Sequence, residues 1–262
     1  MTTLTHALGD SGTMVARQLR HLLRYPSMTV LLAGMPILFL LLFVYVFGGA
    51  MGAGADGAAN RAAYLDYIAP GMMLIAVASA SQGTAISVAM DMTEGIVARF
   101  RTMDIARVSV LTGHVVGSLV QSMLSVALVT AVALLIGFRP TAGPAEWLGA
   151  VGLLVMVSFA LTWLTVALGL VAKTVESASN LPMPLVFLPF LGSSFVPTET
   201  LPTALRWFAE YQPFTPIIET LRGLLMGTEI GDSAAIALAW CAGIALLSYL
   251  WARKLYSRDP AA

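Results

Sequence analysis

The chain has 262 residues, 58% of them hydrophobic and 11% charged, with a formal net charge of zero. So little polar surface excludes a water-soluble globule of this length. A balanced charge gives no basic excess for nucleic acid, which is excluded as a partner.

Six runs contain no Asp, Glu, Lys or Arg: residues 26–55, 67–90, 108–138, 147–172, 177–198 and 233–252. A helix rising 1.5 Å per residue needs about 20 apolar residues to cross about 30 Å of hydrocarbon, and each run is long enough. The predicted fold is all-α and integral to the lipid bilayer, one transmembrane domain over residues 1–262. It has six transmembrane helices, at 28–48, 67–90, 108–137, 147–172, 177–196 and 233–252. Cys241 stands alone in the last run, so no internal disulfide forms.

Before the first span, residues 10–25 read as an amphipathic interfacial helix. Asp10 or Ser11 caps it and Pro26 ends it. Val15, Leu19, Leu22 and Leu23 share one face, while Arg17, Arg20, His21 and Arg24 share another. Such a helix lies in the headgroup plane. The apolar stretch 28–47 exceeds the roughly 7–15 residues of a signal-peptide core, so it reads as a retained span.

Placing the N-terminus in the cytoplasm puts ten Lys and Arg residues inside and leaves Arg61, Arg139, Arg206 and Arg222 outside. The positive-inside rule selects that orientation, with both termini cytoplasmic.

The second span carries a polar strip of Ser79, Ser81, Gln82, Thr84 and Ser87. After it, residues 91–107 are too charged for lipid and too few for a domain. Read as a helix, they place Ile96, Phe100 and Met103 on one side, with Glu94 and Arg101 on another and Asp104 a turn further. The third span opens with Gly113 and Gly117 at close-packing spacing, and His114 is the one ionisable residue among them. In the fifth run Pro182, Pro184 and Pro189 each remove a backbone donor, beside Met183, Phe187 and Phe190. A helix so broken is tolerated where neighbouring protein or a cavity satisfies its carbonyls.

Residues 200–227 read as an external re-entrant helix pair, in two amphipathic pieces at 202–211 and 216–226. Pro213 precedes the second piece, Thr215 is placed to cap it, Pro216 suits its first position and Gly227 its end. Glu219 and Arg222 stand one turn apart on it. At about eleven residues it is too short to cross a bilayer.

The stretch SSFVPTETLPTALRWFAEYQPFTPIIETLRGLLMG (193–227) resembles the external segment of daunorubicin-resistance-type permeases, in the type-2 branch of ABC exporters. GIVARFRTMDIARVSVLTGHVVGSLV (95–120) resembles that family's cytoplasmic helix and the start of its third span. The likeness extends over essentially the whole chain. Departures occur at Ala98, Asp104 and His114, where members often carry acidic, Pro and basic residues respectively.

The resemblance implies a permease of an ATP-binding-cassette exporter whose ATPase is a separate subunit, with ATP and magnesium bound there. Two permeases, identical or paralogous, would pair above two ATPase subunits in a bacterial plasma membrane. The family's coupling helix, at 92–107, maps Glu94, Gly95, Arg99, Phe100, Arg101 and Asp104 onto the ATPase contact. Ser79, Gln82, Phe187 and Phe190 map onto a substrate path between the second and fifth spans; interhelical hydrogen bonding is the plainer reading of the polar ones. The chain agrees with that division of labour, because GLVAKT at 169–174 lacks the Gly before Lys that a phosphate-binding loop needs. No catalytic or metal site is expected, since His6, His21 and His114 are scattered. The alternatives are a polysaccharide or lipid permease of the same branch and an ion-coupled secondary carrier, which would work without an ATPase.

Overall fold

The computed structural model describes residues 26–48, 57–93 and 107–256. The interfacial helix at 10–25 and the coupling candidates Glu94, Gly95, Arg99, Phe100, Arg101 and Asp104 lie outside the described residues. Among the described residues there is no strand.

The first helix, α1 (Pro26–Leu42), passes into a π-helical turn at Phe43–Phe47. The second, α2 (Gly57–Thr93), has 37 residues. At 1.5 Å per residue it is about 55 Å long, well beyond the hydrocarbon thickness. Arg61, Asp66 and Asp91 all belong to it, so Asp91 continues this helix. Then come α3 (Arg107–Ile136) and α4 (Pro144–Val171), joined by a short turn.

The proline-rich fifth run forms no continuous helix. It is divided into α5 (Val175–Asn180), α6 (Met183–Phe187) and a 3₁₀ turn at Leu188–Leu191. Thr174 starts α5 through a reciprocal box: its hydroxyl accepts from the Ser177 amide at 3.1 Å, and its own amide donates to the Ser177 hydroxyl at 3.2 Å. Pro182 and Pro184, which lack the N–H that would continue the ladder, fall at the break between α5 and α6. Two amphipathic pieces follow, α7 (Thr203–Tyr211) and α8 (Phe214–Met226), and α9 (Ser233–Tyr256) closes the described chain.

Among the described residues, four helices are long and apolar enough to cross a membrane: Arg61–Thr93, Gly113–Ile136, Pro144–Val171 and Ser233–Leu255. Leu32–Phe47 is a shorter apolar helix.

The bundle is built around α2. Residues 71–80 are all buried, so this helix is enclosed on every side over nearly three turns. It packs against α1, α3, α4, α8 and the fragments of the fifth run. Its crossing with α4 is tight enough that a β-carbon on Gly169 would sit 2.7 Å from the Ala85 carbonyl. On the outside of the bundle, α9 packs on α4 and α8, with Tyr249 meeting Trp163 edge-on at 4.9 Å. Its Leu246, Leu247 and Leu250 point outward, which suits hydrocarbon and not water.

Candidate gate and its polar supports

Pro70 lies inside α2, one turn after Tyr67. It has no amide to donate and crowds the carbonyls of the preceding turn. The Tyr67 carbonyl finds a donor outside its own helix: Arg222 of α8 reaches it with Nε at 3.4 Å and Nη2 at 3.2 Å. Nη2 also donates to the Ser193 carbonyl at 2.6 Å, and the guanidinium lies 3.9 Å over the Tyr67 ring. One side chain thus fastens α8 and the turn near the end of the fifth run to α2. Burial draws the Arg222 guanidinium pKa below its ordinary value, while nearby Tyr67 and Glu219 pull the other way.

Gly71 completes the notch. A β-carbon there would lie 2.7 Å from the Ser194 β-carbon, so the turn at 193–194 approaches α2 as closely as glycine allows. Around the same turn Gln212 Nε2 donates to the Leu188 carbonyl at 3.1 Å. Six buried side-chain oxygens lack a hydrogen-bond partner among the described residues, and Ser193 Oγ, Ser194 Oγ and Gln212 Oε1 are three of them. An unsatisfied buried oxygen is costly, and three of the six gather around this turn while Ser122, Ser125 and Ser158 lie on α3 and α4.

The helix pair α7 and α8 differs in detail from the sequence reading. Thr215 does not cap α8; it lies in the first turn and donates to the Ala209 carbonyl, tying α8 to α7. Pro213 occupies the cap position without a side-chain bond, and Pro216 sits inside the first turn. Gly227 ends the helix at φ +70°, in the left-handed region. Glu219 accepts from Ser233 Oγ at 3.0 Å, where α9 begins. The helix α7 exposes Trp207 and Tyr211, 5.3 Å apart, and pairs Arg206 with Glu210 at 2.7 Å. Exposed aromatics beside charges suit the headgroup zone.

Of the path candidates, Phe190 lies in an aromatic cluster. It stacks on Phe195 at 4.8 Å and meets Phe39 of α1 edge-on at 5.5 Å; Phe195 in turn lies 4.4 Å from Phe43. Phe187, 6.3 Å from Phe190, is 55% exposed. Gln82 donates to the Ser179 carbonyl at 2.7 Å, so it satisfies a freed carbonyl near the end of α5. Ser79 is buried one turn earlier on α2. Exposed Ser87 donates to the Gly83 carbonyl of its own helix at 3.0 Å. Ser81 donates to the Val77 carbonyl, and Thr84 reaches Ser118 at 2.6 Å, which meets Thr162 of α4 at 3.1 Å.

At the opposite end, Asp91 Oδ2 and His114 Nε2 stand 3.0 Å apart, both largely buried. They join α2 to α3 beside the two ends of segment 94–106. Sequence reading singled out His114 as ionisable but missed its partner, because Asp91 appeared to belong to the loop. It also missed Tyr67, Phe39, Phe43 and Phe195. Pro-Gly within an apolar run, at 70–71, was the available sign of the notch.

These features define a helical, multi-pass membrane protein with a broken segment and two short amphipathic helices at one end. Residues 11–226 match the ABC-2 type transporter family, and the chain belongs to that family as a permease. It is 29% identical over 258 residues to the daunorubicin resistance ABC transporter permease protein DrrB1 of Streptomyces coeruleorubidus, covering 95% of this chain and 89% of the relative. A probable doxorubicin resistance ABC transporter permease protein, DrrC of Mycobacterium tuberculosis, is 21% identical over 69% of this chain and 65% of its own length. ABC transporter G family member 20 of Dictyostelium discoideum is 25% identical over 71% of this chain, which spans 25% of that longer protein.

Proposed function

We propose that the chain is the membrane subunit of an ABC exporter that moves a hydrophobic or amphiphilic compound of antibiotic type out of the cell. Hydrolysis of ATP with magnesium on a separate ATPase subunit drives it. Two permeases and two ATPase subunits form the working unit in a bacterial plasma membrane, with six spans and both termini cytoplasmic. The observation that carries this reading is the likeness to a daunorubicin-resistance permease over 95% of the chain. The aromatic seam between α1 and the broken fifth run supports it, because it offers an apolar amphiphile a non-polar wall.

In this reading the compound moves along the seam of Phe187 and Phe190, and release requires the turn at 193–194 to part from α2. Arg222 is the fastening that gives way. The segment with Glu94, Gly95, Arg99, Phe100, Arg101 and Asp104 meets the ATPase, and Asp91–His114 braces its base.

The test is co-expression with the cognate ATPase subunit. Purified permease alone hydrolyses no ATP, and the complex hydrolyses ATP faster when an amphiphile is added. Hydrolysis by the isolated permease overturns the reading. An ion-coupled carrier is the second reading, favoured by the buried Asp91–His114 pair. Uptake into vesicles driven by a proton or sodium gradient, without any ATPase, would select it.

A further inference from the structure

A groove of about 430 Å³ opens between α3 and α4, at the end of the bundle that carries α8. Met73 of α2 and Leu225 of α8, both buried, form its floor. Ala127, Ala131 and Ala150 stand on its walls, and their small side chains leave the space open. The lining offers almost nothing to water. Its one hydroxyl, Thr130, donates to the Val126 carbonyl at 2.7 Å. A water needs two to four polar partners, and an unfilled space forfeits dispersion contacts on every wall. In a chain that spans the bilayer, the occupant that fits is a hydrocarbon chain.

The mouth carries groups of the headgroup zone. Trp147, half-buried, begins the α4 wall, and exposed Glu146 precedes it. Across the turn, exposed Arg139 is held at the end of α3: its Nη1 donates to the carbonyls of Leu134 at 3.2 Å and Phe138 at 3.1 Å. Leu134 is itself a lining residue, so the guanidinium is anchored at the rim. Its Nε and Nη2 make no hydrogen bond among the described residues. The Asp66 carboxylate accepts from the Arg139 amide at 3.2 Å, so the cation on this flank has one carboxylate beside it; with Glu146 on the other flank, the rim complements a zwitterion whose phosphate and ammonium are a few atoms apart.

We propose that this groove holds one acyl chain of an aminophospholipid, with its phosphate on Arg139 and its ammonium on Glu146. The site is separate from the seam of Phe187 and Phe190 and does not rest on the exporter reading. A bound chain there fills the gap between α3 and α4 directly beside the floor that α8 supplies, so lipid occupancy steadies the external helix.

The experiment is native mass spectrometry of the delipidated chain in detergent, titrated separately with phosphatidylethanolamine, phosphatidylcholine and phosphatidylglycerol. Phosphatidylethanolamine should bind about tenfold more tightly than either competitor, since phosphatidylcholine cannot donate to Glu146 and phosphatidylglycerol has no cation. Ala131→Trp should abolish that binding by filling the groove. Arg139→Gln, on the exposed rim, should weaken it about tenfold, the scale of one charge-assisted contact. Leu247→Trp, on the exposed face of α9, should behave as wild type. Equal binding of the three lipids overturns the headgroup assignment, and undiminished binding in Ala131→Trp overturns the site.

Discussion

Arg222 and Tyr67 are joined twice: the guanidinium lies 3.9 Å over the phenol ring and donates to the same residue's carbonyl at 3.2 Å. The side chain and main chain of one residue on α2 are therefore held by a single residue of α8. A third bond, to Ser193, brings in the end of the broken run.

Replacing Arg222 tests that fastening. Arg222→Gln should lower stability in detergent by about 2–3 kcal/mol, because buried carbonyls lose a charged donor. Arg222→Lys should recover only part, since an ammonium lacks the planar fork that spans two carbonyls and stacks on a ring. Thermal unfolding of the three proteins measures this. A glutamine variant as stable as wild type would remove the fastening role.

Gly71→Ala should cost about 1–3 kcal/mol by forcing the turn at 193–194 away from α2. Adding Ser194→Gly removes the atoms that the new methyl meets first, so the double variant should regain at least half of the loss. If Ser194→Gly merely adds its own cost, the close approach is not what selects glycine.

The Asp91–His114 contact predicts coupling between the two positions. Single alanine substitutions and the double variant form a cycle, and its interaction energy should lie at about 0.5–3 kcal/mol. An interaction energy near zero would mean that each side chain is stabilised independently.

Charge reversal in the cytoplasmic segment tests coupling to the ATPase. Arg101→Glu should leave the permease folded and inserted but weaken capture of the ATPase subunit or abolish amphiphile-stimulated hydrolysis. Truncating one member of a buried charge pair at an interface costs about 2–5 kcal/mol. Phe100→Ala should instead lower the permease's own melting temperature. Unchanged capture and hydrolysis in Arg101→Glu would make the segment a plain positive-inside loop.

Topology is open to chemical labelling after Cys241→Ala removes the native thiol. Cysteines at Ala58 and Thr228 should react with an impermeant reagent on intact cells, and one at Thr102 should not. Reaction of position 102 from outside would reverse the orientation and the coupling assignment together.

How much of this was legible follows from which signals are local. The long apolar runs survive as α3, α4 and α9 because hydropathy over 20 residues needs no tertiary information. The breaks at Pro182 and Pro184 were equally plain, since a missing amide acts within one turn. Tertiary pairing was not legible. The sequence places Glu219 and Arg222 one turn apart, and it gives no sign that each is hydrogen-bonded to a residue of another element. Gln82 read as a path residue, and the hydrogen bond that engages it lies 97 positions away, at Ser179. The length of α2 was also hidden, because Arg61 and Asp66 look like loop charges until a helix is seen to project beyond the hydrocarbon.

The enclosed helix α2 is a rod of about 55 Å, tied to α3 through Asp91 near one end and to α8 through Tyr67 towards the other. A tilt of about 5° about one end of such a rod carries the other end through about 5 Å, roughly one helical turn. A small displacement at the base is thereby magnified into a movement larger than any hydrogen bond at the far end can follow.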